Sequence, residues 1–147
     1  GFDFATLSDG FYAEDFTDVV NERSWVVMSL GDDKKTVQVD AEGSGGLDEI
    51  KAVLKEDAMQ FAAFRVNVVD RSGARASLRC RTVFVEWVGG EVSRAEQFKY
   101  NNARAAFEEY FSDSQLTLKL NGRAELDSEL TEENIQKEIR RLAGAHQ

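Results

Sequence analysis

Residues 79–90 read Arg79-Cys80-Arg81-Thr82-Val83-Phe84-Val85-Glu86-Trp87-Val88-Gly89-Gly90. Alternation places Val83, Val85 and Trp87 on one face of a strand over 79–88, and Phe84 and Val88 on the other. Apolar residues on both faces predict a central strand covered by helices on both sides. Gly89-Gly90 ends it, and a polar segment with Arg94 and Lys99 leads to Tyr100.

Upstream, Phe61 to Asp70 reads as a partner strand. Ala62, Phe64, Val66 and Val68 share one face; Ala63, Arg65 and Asn67 share the other. Arg71-Ser72-Gly73-Ala74-Arg75 turns the chain between the two strands. Further back, Trp25–Leu30 and Lys35–Val39 form a predicted hairpin with Asp32-Asp33 at its tip. Ala41–Gly46 reads as a flexible loop, and Leu47–Glu56 as a helix. Residues 1–10 read as a loose extension. Ser8 or Asp9 then caps a helix to about Glu22, with Tyr12, Phe16, Val19 and Val20 on its inner stripe.

Downstream, Asn101 or Asn102 is the expected cap of a helix to Phe111, with Ala103, Ala106, Phe107, Tyr110 and Phe111 inward. Gln115–Leu120 alternates like a strand, and Asn121-Gly122 is a turn. Thr131 caps a final helix with Glu132 and Glu133 at its positive end, Arg140 and Arg141 in its last turn, and Gly144 as its stop. The order α-β-β-α-β-β-α-β-α predicts one α+β domain over residues 1–147. Its centre is a mixed sheet of about five strands flanked by helices on both faces.

Composition narrows the chemistry. A chain of 147 residues, 42% hydrophobic and 31% charged, suits one soluble domain. No apolar run reaches the roughly 20 residues of a membrane span. The start lacks a basic n-region and an apolar h-region, so no secretory signal is expected. The single Cys80 cannot close an intramolecular disulfide, which points to a reducing, cytoplasmic setting. One Cys and one His, at His146, leave no catalytic triad and no zinc ligand set. There is no phosphate-binding glycine loop. The expectation is no cofactor, no metal and no enzyme activity. An enzyme built on Asp or Glu would need a cleft with converging, perturbed carboxylates.

The net charge is −9, but it is unevenly spread. Residues 1–60 hold 14 acidic and 5 basic residues, and residues 106–147 hold 9 and 5. Residues 61–105 reverse the sign, with 8 basic and 4 acidic. An acidic chain is repelled from nucleic acid, yet a local basic face can dock on an acidic protein surface within roughly 8–10 Å. Phosphoinositide is a weaker candidate for the same basic face.

The element order, the Arg79–Gly90 segment, Phe61-Ala62-Ala63-Phe64-Arg65-Val66 and the closing Glu138-Ile139-Arg140-Arg141-Leu142-Ala143-Gly144-Ala145 together resemble the actin-depolymerising-factor homology domain. Within that superfamily the chain is most similar to the coactosins, over about Phe11 to Ala145. The resemblance implies an actin-binding protein of the cytoskeleton that binds along filaments and modulates their dynamics or capping without strong severing. Arg81 falls where the family has a basic residue important for filament contact. Arg75 and Arg79 belong to the same basic cluster. The helix at Asn101–Phe111 falls on the family's main actin-facing helix, with Lys99 before it and Arg104 on its exposed side. Arg140 and Arg141 fall on a closing basic pair expected to flank that same face. Severing relatives carry several basic residues on the exposed side of the long helix; here those positions are Arg104, Ala105, Glu108 and Glu109. The alternatives are a monomer-binding, severing cofilin-like protein, or a non-actin interaction module on the same fold. A monomer is expected. Trp87 and Phe107 read as core, and Ser8 as a helix cap rather than a phosphorylation site.

Overall fold

The computed structural model describes residues 25–70 and 77–145, with side chains over 25–66 and 81–142. The predicted extension over 1–10, the first helix, the turn with Arg71 and Arg75, and His146 lie outside the described residues.

The described elements, in chain order, are β1 (Trp25–Leu30), β2 (Val37–Gly43), α1 (Leu47–Val53), β3 (Met59–Asp70) and β4 (Ser77–Val88). They continue with α2 (Arg94–Lys99), α3 (Asn101–Tyr110), β5 (Leu116–Asn121), α4 (Gly122–Glu129) and α5 (Glu132–Ala145). The five strands form one sheet in the order β2-β1-β3-β4-β5. All neighbours are antiparallel except β4 and β5, so the sheet is mixed, as predicted.

The period-2 pattern of the strands sorts the core into two layers. On one side Val27, Ala62, Phe64, Val83, Val85, Trp87, Leu118 and Leu120 meet Ile50 of α1, Leu126 of α4, and Ile135 and Ile139 of α5. On the other side Met28, Phe61, Ala63, Phe84 and Val88 meet Ala103 and Phe107 of α3, and Phe111 just beyond it. Aromatic stacking ties α3 down: the Phe61 and Phe107 rings lie 3.9 Å apart, and Phe84 and Phe111 4.9 Å. β4 is covered on both faces, as its sequence predicts, but it lies between β3 and the edge strand β5, and β3 is the middle strand.

Trp87 and the glycines after it anchor the end of β4. The Trp87 indole donates to the Lys55 carbonyl at 2.8 Å. A Cβ on Gly89 would lie 2.2 Å from the Glu56 carbonyl oxygen, so only glycine permits this approach. Arg123 of α4 closes the same corner, donating to the Lys51 and Leu54 carbonyls that α1 leaves open and pairing with Glu56 at 3.3 Å.

Several boundaries differ from the sequence expectation. Ala41–Gly43 belong to β2, not to a loop, because each pairs with β1. The helix after Gly46 stops at Val53, where Leu54 turns extended. The polar segment before Tyr100 contains α2, capped by Ser93, whose side chain accepts from Glu96 N–H. α3 has Tyr100 at its N-cap position and no side-chain cap, because α2 runs into it; neither Asn101 nor Asn102 caps it. Gly122, at φ 80, opens α4, a helix that its polar sequence conceals. α5 continues through Gly144 to Ala145, so Arg140 and Arg141 stand before its last turn. Thr131 caps it as expected, its hydroxyl accepting from Asn134 N–H.

Candidate partner-binding surface

The sheet is not uniform in width. β1 pairs with β3 only as far as Phe64, and β5 pairs with β4 only from Val83. Residues 65–70 and 77–82 therefore pair as a two-stranded ribbon beyond the sheet, with no third strand among the described residues. Six residues at strand rise give an arm of roughly 20 Å. Arg81 lies near its base opposite Val66, and the Arg79 backbone pairs opposite Val68. Arg75 and Arg71 follow in the segment between the strands, outside the described residues. Arg81 is half-buried and forms no ion pair with a described residue. The base is pinned where Thr82 N–H donates to the Gln115 side chain and Gln115 N–H donates to the Thr82 carbonyl.

α3 carries the second group. Lys99 is exposed just before it and pairs with Glu96 at 3.7 Å. Arg104 differs from its expected place on a fully exposed face. Its guanidinium turns inward, with Nε 3.8 Å from a Glu86 oxygen. Glu86 points from the middle of β4 toward α3 and is 3% exposed. Lys119 of β5, its register partner, lies 3.7 Å from the other oxygen and 3.6 Å from Glu108. Neither Glu86 oxygen has a hydrogen bond. Burial and the neighbouring Glu108 carboxyl push the Glu86 carboxyl up from the usual 4.5 to about 7, against the pull of Lys119 and Arg104. The exposed side of α3 thus offers Ala105, Glu108 and Glu109.

One exposed residue was missed from sequence. Phe98 of α2 is 76% exposed, beside exposed Arg94 and Lys99. The signal was an aromatic inside a polar helix with no apolar partner at helical spacing.

The closing pair stands apart from α3. α5 packs on the opposite side of the sheet, the side toward which Val83 and the Arg81 position of β4 face. Arg140 is exposed and donates to Gln136, and Arg141 pairs with Glu138 at 2.9 Å. The expectation that this pair flanks the α3 face is therefore corrected: the buried side of α5 is set by Ile135 and Ile139, which face the other layer.

A groove of about 610 Å³ opens between α1 and α5, floored by Trp25, Phe64 and Val66. The perturbed Glu86 is sealed on the other side of the sheet, so groove and carboxylate do not combine into a catalytic cleft.

The sequence matches the family described as cofilin/tropomyosin-type actin-binding protein over residues 5–140. The chain belongs to that family. A coactosin of Entamoeba histolytica is 39% identical over 94 residues, 64% of this chain and 60% of that protein. The crystal structure of coactosin from Entamoeba histolytica superposes with a TM-score of 0.72 at 28% identity, covering 89% of this chain and 90% of that one. Human coactosin-like protein shares the fold at a TM-score of 0.68 and 19% identity, over 87% and 89% of the two chains. Among the described residues no helix is long and apolar enough to cross a membrane.

Proposed function

We propose that the protein binds actin, along filaments in the manner of a coactosin, without strong severing, and that it acts at the cytoplasmic actin cytoskeleton as a monomer. Membership of an actin-binding family makes it a binding protein and not an enzyme. The likeness to a coactosin in both sequence and fold supports the coactosin branch. The observation that carries filament binding is the asymmetry of positive charge. Arg79 and Arg81 stand on the arm, in a segment whose sequence also carries Arg75, while the exposed side of α3 is acidic and its one arginine is turned toward Glu86. A protein with this layout meets an acidic filament surface through the arm, with Lys99, Arg140 and Arg141 at the rim. It offers α3 no basic row for tight monomer capture.

Co-sedimentation with filaments tests the reading. Arg81→Glu should weaken pelleting by about tenfold, the size of a charge contact at an interface. Its circular dichroism should match the parent, because the arm lies outside the core. Unchanged pelleting by Arg81→Glu removes the arm from the interface. No pelleting by the parent at any salt concentration replaces actin with another acidic protein partner. Sub-micromolar binding to monomer moves the protein to the severing branch.

A further inference from the structure

The charge cluster beneath α3 goes beyond that reading and uses it only for one readout. Glu86 is nearly fully buried, yet no donor reaches either oxygen within hydrogen-bonding distance. A buried carboxylate without hydrogen bonds is costly. The groups facing it come from two elements: Arg104 and Glu108 from α3, and Lys119 from β5. Its β3 register partner is Phe61, which is apolar, and its same-face neighbours on β4 are Phe84 and Val88. With both carboxyls ionised the four charges sum to zero. With one proton held between the two carboxyls the cluster carries a net charge of one positive unit, and Arg104 loses its counter-charge.

We infer that Glu86 is a positioning residue for α3, a proton-controlled brace: ionised, it holds Arg104 down against the sheet; protonated, it donates to Glu108 and leaves Arg104 free to turn outward to an acidic partner.

Nothing covalent changes: one proton moves from solvent to Glu86 and back. The raised affinity of Glu86 for its proton, midway near about 7, places the change above the ordinary carboxylate range. The direction follows from the charge count. Acidification adds a positive charge beside α3 and favours an acidic surface.

Two arms test it on the intact chain. In the first, carbon-13 NMR follows the glutamate carboxyls while amide shifts report on α3. The Glu86 carboxyl should titrate near about 7, and the Arg104 and Glu108 signals should move with the same midpoint. In Glu86→Gln, an isosteric variant that mimics the protonated form, those movements should vanish. In the second arm, filament pelleting by the parent should strengthen roughly two- to fivefold from about pH 8 to about pH 6, the worth of one partly screened charge. Glu86→Gln should bind at the parent's low-pH level at both pH values. A Glu86 midpoint in the ordinary carboxylate range overturns the brace, as does a Glu86→Gln variant with the parent's pH slope. If the parent does not pellet at any pH, actin is the wrong partner, and the first arm alone decides the brace.

Discussion

At the scale of residues, the informative side chains are those whose surroundings contradict their chemistry. Glu86 is a carboxylate in a strand whose neighbours on the same face are Phe84 and Val88. Its sequence position alone marks it as facing away from Val85 and Trp87. It says nothing of Arg104, Glu108 or Lys119, which reach it through folding. The linkage sign is definite. The Glu86 pKa is raised in the fold, to about 7 from 4.5, so its contribution is fully present below about 4.5 and is lost as pH rises through about 7. The parent's melting temperature should therefore fall between about pH 5 and about pH 8, by several degrees for a loss of roughly 1–2 kcal/mol. Glu86→Gln should flatten that fall and be the more stable protein at the higher pH. Thermal unfolding of the pair across the range reads this directly; an equal slope in both would assign the fall to other groups. Arg81 is the opposite case. Its residue type, its place at a strand start and the family resemblance marked it from sequence, and the structure adds where it stands on the arm.

At the scale of elements, the strands were legible and the polar helices were not. β3 and β4 announce themselves through apolar residues on both faces. α2 and α4 carry no buried residue and one, respectively, so neither writes an amphipathic stripe into the sequence. Their caps and the chain's entry angles form them instead: Ser93 for α2 and the left-handed Gly122 for α4. The Trp87-Val88-Gly89-Gly90 end of β4 belongs to the stretch that carries the family resemblance. It is a joint. Gly89 packs on the Glu56 carbonyl, and its N–H donates to the Ala58 carbonyl at 3.0 Å. Gly89→Ala should therefore destabilise the domain by about 1–3 kcal/mol, because backbone on one side or the other must move. Urea unfolding with an unchanged slope and a lowered midpoint is the expected result. A midpoint equal to the parent's would show that the joint gives way easily.

At the scale of the whole molecule, the proposed function rests on where a modest positive charge ends up on an acidic protein. Net charge of −9 repels an acidic filament at long range, so the proposed binding through the arm must be short-ranged and salt-sensitive. Filament pelleting should follow a bell in ionic strength, weak where unscreened repulsion dominates and weak again above about 0.3 M, where a Debye length of roughly 5–6 Å screens the arm's attraction. Arg81→Glu should lose the high-salt limb of that dependence; a monotonic rise of binding with salt would place apolar contact, with Phe98 the exposed candidate, ahead of charge. The sequence by itself determined the β1–β2 and β3–β4 pairings, the two apolar layers, the family and the sign of each segment's charge, because these follow from periodicity and residue type along the chain. Only the tertiary structure decided which charges meet. It set the arm beyond the edge of the sheet, because among the described residues β1 and β5 stop short of it. It put α5 on the far side from α3 and turned Arg104 from solvent to Glu86. Those outcomes depend on contacts between residues far apart in sequence, and no local pattern records them.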